Sequence, residues 1–153
     1  MGGDYTHMAR NNQILIGKQY AEELQCAICR AQKSVKMIVF CWSVFEEKKC
    51  EALFNIGAAI DYARRGGVAI QCLTGSEGLA LVLRRRGIET KVLTTHKTIH
   101  AKFILIDDVV FFCGSHNLTK SGLELNLEVS VLQEFGDADN EASNLFQRLW
   151  EAR

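Results

Sequence analysis

The sequence has no excess of charge, because its 18 Lys and Arg residues balance its 18 Asp and Glu residues. Tight non-specific binding to nucleic acid needs basic groups that neutralise phosphates, so this balance argues against it, although a local basic patch is compatible with it. No apolar run reaches the ~18 residues that a membrane-spanning helix needs, and no signal-peptide pattern opens the chain. We therefore expect a cytoplasmic protein without a transmembrane segment.

The cysteines lack the spacing of a metal site. Cys26 and Cys29 form a CxxC motif, but no second pair accompanies it to complete a zinc site. Three other cysteines lie in or at the end of apolar runs, where a free thiol behaves as a small core residue: Cys41, Cys72 and Cys113. Since no cluster of carboxylates indicates a two-metal site either, we expect reduced thiols, no metal and no cofactor.

The chain has 153 residues, the length of one domain, and 48% of them are apolar, which suffices for a hydrophobic core. Apolar residues at helical spacing alternate with short β-branched runs. This alternation predicts an α/β domain, in which a mixed β-sheet, parallel in its first half, is flanked by helices. We assign residues 13–153 to this single domain and residues 1–12 to an N-terminal segment.

The patterns also place the individual elements. Strands are predicted at 13–16, 35–44, 68–73, 88–93, 99–106, 109–113 and 126–132. Helices are predicted at 18–33, around 53–63, at 76–86 and from about 137, with Gly66 and Gly87 ending the second and third. The basic run at 84–86 is interpreted as a solvated helix end, and Trp42 and Trp150 as core residues.

Chemically active side chains occur on three predicted strands late in the chain. His100 and Lys102 are two residues apart on one strand, so both point to the same face. Ser115 and Asn117 repeat this spacing beyond the next strand, and Glu128 lies on the third. Neighbouring strands would therefore present an imidazole, an ammonium, a hydroxyl, an amide and a carboxylate to one place.

This set of groups suits a phosphate diester. Lys102 supplies a positive charge, and Asn117 and Ser115 supply donors for the non-bridging oxygens. His100 can act as the nucleophile, and Glu128 can hold its other ring nitrogen in the required tautomer.

The stretch 100–119 resembles the signature of the phospholipase D superfamily, in its single-copy, nuclease-like form. The signature reads HxKxxxxD, here His100, Lys102 and Asp107, followed after six residues by GSxN, here Gly114, Ser115 and Asn117. Six identities at fixed spacing form a specific motif. The order of strands and helices around it is similar as well, so the resemblance implies a phospholipase D-like catalytic domain.

The resemblance implies a role for each residue of the motif. His100 would form a covalent phosphohistidine, Lys102 and Asn117 would bind phosphate with support from Ser115, and Glu128 would orient a histidine. Asp107 and Gly114 would be structural, since the odd spacing between His100 and Asp107 places the aspartate off the catalytic face. His116, in the variable position of GSxN, is expected at the entrance of the site, and His96 in a loop.

The mechanism of the family uses a second motif histidine to protonate the leaving group. Only one copy of the motif is present here, because none of the other three histidines has a lysine two residues later. A second chain would then have to supply the acid. We therefore expect a homodimer in which a two-fold axis brings both His100 side chains to one phosphate.

Three functions stay open at this point. The first is a metal-independent endonuclease for DNA or RNA, because compact single-copy members without a lipid-binding addition resemble nucleases. The second is a phospholipid phosphodiesterase similar to phospholipase D or a cardiolipin hydrolase. The third is a catalytically silent, nucleic-acid-binding scaffold, against which the intact His100, Lys102, Asn117 and Glu128 argue.

Overall fold

The computed structural model describes residues 11–152, so the predicted N-terminal segment lies outside the described residues except for its last two. The strands within this range are β1 (Asn11–Ile16), β2 (Ser34–Val39), β3 (Ala69–Thr74), β4 (Glu89–Val92), β5 (Lys102–Ile106), β6 (Val110–Gly114) and β7 (Val129–Glu134). The α-helices are α1 (Lys18–Arg30), α2 (Glu51–Arg65), α3 (Glu77–Arg85) and α4 (Glu141–Glu151). A 3₁₀ segment (Val44–Lys49) and a π-helical turn (Ser121–Leu125) complete the described part.

The strands form one mixed sheet in the order β1-β7-β6-β5-β2-β3-β4. β2, β3 and β4 are parallel, whereas β5, β6, β7 and β1 join by antiparallel pairing. This arrangement confirms the predicted α/β class, with a parallel first half and a late hairpin. The sequence pattern does not reveal that β1 pairs with the last strand at the far edge of the sheet.

Helices cover the two faces of the sheet unequally. The larger core lies under α1 and α2, whose Leu24, Ile28 and Ile56 are fully buried against it. On the other face, Phe146 and Trp150 of α4 pack on strand residues that include Phe103 in a smaller core. No helix within residues 11–152 is long and apolar enough to cross a membrane.

The sheet beyond α4 exposes an apolar strip formed by Ile14, Ile16, Val129 and Val131. These side chains are 68%, 51%, 46% and 42% exposed, respectively. Ile14 is paired with Val131 and Ile16 with Val129 across β1 and β7. Because side chains alternate along a strand and Leu15 is buried in the larger core, the apolar strip lies on the face that α4 covers only in part.

The prediction of a solvated basic helix end is wrong for Arg86. Its side chain is 15% exposed and forms ion pairs with Glu47 and with Asp61, the latter at 2.9 Å. The guanidinium also lies 5.8 Å from the ring centre of Trp42. Arg86 therefore ties the segment after β2 to α2, and that segment forms an isolated β-bridge at Leu118, beside the GSxN motif.

We predict that Gly114→Ala destabilises the fold, because β6 passes very close to β7 at this residue. A Cβ atom at Gly114 would overlap the Cα and Oγ atoms of Ser130 and the Val129 carbonyl. Overpacking of this kind costs about 1–3 kcal/mol, which should appear as a lower free energy of unfolding in urea.

Gly78→Ala is the matched control for this substitution. The nearest atom to a Cβ at Gly78 is 3.9 Å away, so alanine in α3 should leave stability unchanged or raise it by roughly 0.5–1 kcal/mol. Equal stability of Gly114→Ala and the wild type would contradict the close approach of the two strands.

Candidate active site

His100 and Lys102 form one unit at the start of β5. The prediction that His100 lies on this strand is wrong, because the strand begins at Lys102 and His100 lies in the preceding loop. The Lys102 Nζ atom lies 2.9 and 3.0 Å from the two ring nitrogens of His100 and donates to the His100 carbonyl at 2.9 Å. The Phe40 ring supports both groups, with its centre 4.6 Å from that of His100 and 5.2 Å from Nζ. An exposed imidazole is thereby held against an ammonium.

Ser115 joins the end of β6 to β7. Its backbone N–H donates to the Val129 carbonyl at 3.0 Å, and its Oγ accepts from the Val129 N–H at 3.0 Å. The hydroxyl proton has the Val129 carbonyl within reach at 3.3 Å. The hydroxyl that was predicted to support phosphate binding is therefore held by the backbone of β7 as an acceptor, and its one proton can be given either to the Val129 carbonyl or to Glu128.

Asn117 presents an amide without an internal partner. Its Oδ1 atom is buried, and the side chain makes no hydrogen bond within residues 11–152. The surrounding backbone is fixed, because Leu118 N donates to the Cys41 carbonyl at 3.2 Å and Ser43 N donates to the Leu118 carbonyl at 2.8 Å. A buried acceptor without a partner is costly, and a hydrogen bond from this amide to a phosphate oxygen would have to come from its Nδ2 group, the donor.

Glu128 lies beside Ser115, just before β7. The Ser115 hydroxyl lowers the pKa of Glu128, and Asn126, His116 and Lys102 act in the same direction, against the smaller opposing effect of burial. The Asn126 amide donates to Glu128 Oε1 at 3.2 Å. These contacts therefore favour the carboxylate form of Glu128.

The predicted contact between Glu128 and His100 is not formed within one chain. In the described part of the chain, no hydrogen bond joins the two side chains, and the imidazole nitrogens of His100 face Lys102 instead. Lys102 lies near enough to Glu128 to lower its pKa. The structure thus brings Lys102, Ser115 and Glu128 near one another, and His100 contacts Lys102 rather than Glu128.

His116 is a core residue, so the expectation that it lies at the entrance of the site is wrong. It is 1% exposed, and its ring stacks on Tyr20 with centres 4.2 Å apart. Its Nδ1 atom lies 2.7 Å from Ser130 Oγ, and burial lowers the pKa of the imidazole. Strand alternation was the missed signal, because a residue between Ser115 and Asn117 points to the opposite face.

Asp107 lies at the other end of β5 from Lys102. It has a left-handed backbone conformation, with φ of 52°, which aspartate tolerates better than most residues. Its carboxylate accepts hydrogen bonds from the backbone N–H groups of Gln32, Lys33 and Ser34 at 2.9, 2.7 and 3.0 Å. Asp107 thereby closes the turn between α1 and β2.

An open cavity of about 660 Å³ lies between the site and α4, and none of the four residues of the apolar strip lines it. Its polar end contains His100, Lys102 and Ser115, and Cys113 is among the residues that continue it along the sheet. Cys113 is paired with Val131 of the apolar strip. Among residues 11–152, no group of three or more metal-ligating side chains is present.

Comparison with known proteins identifies relatives of the chain in sequence and in fold. A family profile described as "Cardiolipin synthase, PLD-like domain" matches residues 24–150. Mitochondrial cardiolipin hydrolase from Canis lupus familiaris is 24% identical over 141 residues, which cover 88% of this chain and 52% of that protein. The protein of the same name from Mus musculus is 24% identical over 131 residues, or 82% and 55% of the two chains. The chain therefore spans about half the length of these curated relatives.

Two solved structures share the fold over nearly their whole length. NucT from Helicobacter pylori superposes with a TM-score of 0.71 at 20% identity, covering 92% of this chain and 96% of that chain. Nuc from Salmonella typhimurium, described as a phospholipase D family member, gives a TM-score of 0.67 at 20% identity, covering 92% and 91%. The expected phospholipase D-like fold is confirmed.

We predict that Ser115→Ala raises the pKa of Glu128 towards the ordinary glutamate value, because it removes the main hydrogen bond that favours the carboxylate. Because the pKa of Glu128 is lower in the folded than in the unfolded state, its ionisation stabilises the fold at pH values above the unfolded-state pKa. That stabilisation is lost as the pH falls through the folded-state pKa. Titration of the Glu128 carboxyl carbon by NMR measures the change.

Asn126→Ala is the control for Ser115→Ala, and should raise the pKa of Glu128 by less, since the amide is the weaker of the two donors. A Glu128 titration that is identical in wild type and Ser115→Ala would contradict this description of the site.

Proposed function

The chain belongs to the PLD-like domain family, within the phospholipase D superfamily, and on that premise we propose that it is a metal-independent phosphodiesterase. Its proposed substrate is DNA or RNA, cleaved through a phosphohistidine on His100. The observation that supports this proposal most is the contact between the imidazole of His100 and the ammonium of Lys102. A nucleophile that attacks an anionic diester needs a fixed positive charge beside it, which offsets the repulsion and stabilises the transition state.

The proposed reaction has two displacements at phosphorus. In the first, a ring nitrogen of His100 forms a P–N bond while the P–O bond to the leaving group breaks. The protonated His100 of the partner subunit gives its proton to the departing oxygen. Lys102 and the Asn117 amide would bind the non-bridging oxygens.

In the second displacement, water attacks the phosphohistidine. The partner subunit's His100, now neutral, takes a proton from the water as the P–O bond forms and the P–N bond breaks. Phosphate monoester and free imidazole result, and the acid is again protonated, so protons and bonds balance. The His100 pair must carry one proton between them at the start of each cycle, which predicts a bell-shaped dependence of rate on pH.

The apolar strip supports the proposal that a second copy completes the site. The strip is an exposed apolar surface on two neighbouring strands, β1 and β7. Monomeric proteins rarely expose large contiguous apolar patches. Val131 of the strip is paired with Cys113, which lines the cavity that contains His100. A two-fold axis at such a face would bury the strip against its own copy and bring the two cavities together.

A phospholipid phosphodiesterase is the second candidate. The curated relatives are named mitochondrial cardiolipin hydrolase, and two apolar side chains stand exposed close to Glu128. Leu125 is 69% exposed and Leu127 is 86% exposed. Such residues would suit contact with a lipid surface, and they are compatible with a partner chain as well.

We predict that the protein cleaves labelled single-stranded DNA or RNA in excess EDTA and that His100→Ala reduces the rate at least roughly 10³-fold, since the nucleophile is lost. His100 is exposed, so the variant should keep its fold, which circular dichroism checks. Release of headgroup from cardiolipin vesicles, without cleavage of nucleic acid, would instead establish the lipid function. Binding without turnover of either substrate would indicate a scaffold.

We also predict that Val131→Asp converts a dimer into a monomer of 17.2 kDa and abolishes catalysis, because it places a charge in the apolar strip. Phe54→Asp is the matched control, since Phe54 is 55% exposed but lies on α2, across the sheet. Light scattering after gel filtration gives the masses. A Val131→Asp variant that stays dimeric, or that is active as a monomer, would contradict the proposed interface.

A further inference from the structure

A second cavity lies beside the His100 site, with a volume of about 370 Å³. We call it the loop cavity, because it lies between the loops after β3 and β4; its lining is Phe40, Gly75, Ser76, Leu93 and residues 95–99. Phe40 also contacts His100 and Lys102. A group bound in the loop cavity would therefore be separated from the reacting phosphate by one aromatic side chain.

The lining of the loop cavity combines an apolar part with a polar part. Leu93 and Ile99 pack against the smaller core and, with Phe40, make up the apolar part. A Cβ at Gly75 would lie 3.3 Å from the Ile99 side chain, so glycine lets the two loops pack closely. This part offers a surface on which a flat ring can lie.

The polar part of the loop cavity is suited to an anion. It contains the hydroxyl residues Ser76, Thr95 and Thr98, together with His96 and Lys97. Within residues 11–152, Lys97 forms no ion pair and no carboxylate lines the cavity. Lys97 N donates to Thr95 Oγ1 at 3.2 Å, which shapes the loop that carries the ammonium group.

We propose that the loop cavity is a subsite for the nucleotide next to the scissile phosphate. The base or sugar would lie on the apolar part, and the neighbouring phosphate would bind Lys97 and His96. Aromatic and apolar contact holds bases of any sequence, and lysine binds phosphate as a point charge. A volume of about 370 Å³ is within the range of small-molecule sites. The inference rests on the proposed nuclease function and specifies its substrate as an extended strand.

The test compares a substrate that reaches the loop cavity with one that does not. Steady-state kinetics of His96→Ala/Lys97→Ala are measured with a single-stranded oligonucleotide and with bis(p-nitrophenyl) phosphate, which has no neighbouring nucleotide. We expect kcat/KM for the oligonucleotide to fall roughly 10- to 100-fold, mainly through KM, and to fall much less for the small diester. The salt dependence of oligonucleotide binding should also become shallower by about one phosphate contact.

Lys33→Ala is the matched control, because Lys33 is an exposed lysine at the opposite end of the sheet, next to the Asp107 turn. It should leave the kinetics of both substrates unchanged. Equal losses on the two substrates in His96→Ala/Lys97→Ala, or no loss on either, would overturn the subsite. If His96→Ala/Lys97→Ala changes the hydrolysis of cardiolipin vesicles but leaves the oligonucleotide kinetics unchanged, the nucleotide subsite is overturned and the loop cavity binds a lipid headgroup instead.

A binding measurement tests the subsite even if the proposed nuclease function is wrong. If the wild type cleaves neither substrate, His100→Ala is titrated with a fluorescent, 5′-phosphorylated trinucleotide and with its unphosphorylated form. Tighter binding of the phosphorylated form that is lost in His100→Ala/His96→Ala/Lys97→Ala would support the loop cavity as a nucleotide site in a non-catalytic protein. Binding that the added substitutions leave unchanged would overturn it.

Discussion

The close approach of β6 to β7 at Gly114 determines where the chemical groups of the site can lie. With no side chain at this residue, Ser115 reaches the backbone of Val129 and is held there by paired hydrogen bonds. Glu128 is then placed beside the Ser115 hydroxyl, which keeps the carboxylate ionised. His116 points the other way and stacks on Tyr20, so that the motif loop is anchored in the core.

The proposed two-histidine mechanism requires a second copy of the chain, and several features of the structure support that proposal. The imidazole of His100 is exposed and held by Lys102 rather than by Glu128. The apolar strip lies next to the cavity that contains His100, since its Val131 is paired with Cys113 of the cavity lining. A second copy would give each of these groups a role, since symmetric assembly places identical residues on both sides of one site.

Sequence patterns predicted the kinds of element well, because apolar periodicity reports which face of each element is buried. They failed where tertiary contacts decide: β2 ends at Val39 rather than at 44, and Arg86 is drawn into ion pairs instead of solvent. The motif spacing predicted that its polar residues lie together, and Lys102, Ser115 and Glu128 do lie near one another, but the spacing did not reveal the burial of His116. The loop cavity could not be predicted, since it depends on how two loops pack around Gly75 and Phe40.

The proposed mechanism requires that two His100 side chains act on one phosphate. Wild-type and His100→Ala chains with different tags can be co-expressed, and the heterodimer isolated by two affinity steps and assayed on single-stranded DNA in EDTA. We expect the heterodimer to lose at least roughly 100-fold in rate, because either the nucleophile or the acid is missing at the shared site. A heterodimer with half of the wild-type activity would show that each chain works alone, and would contradict a shared site.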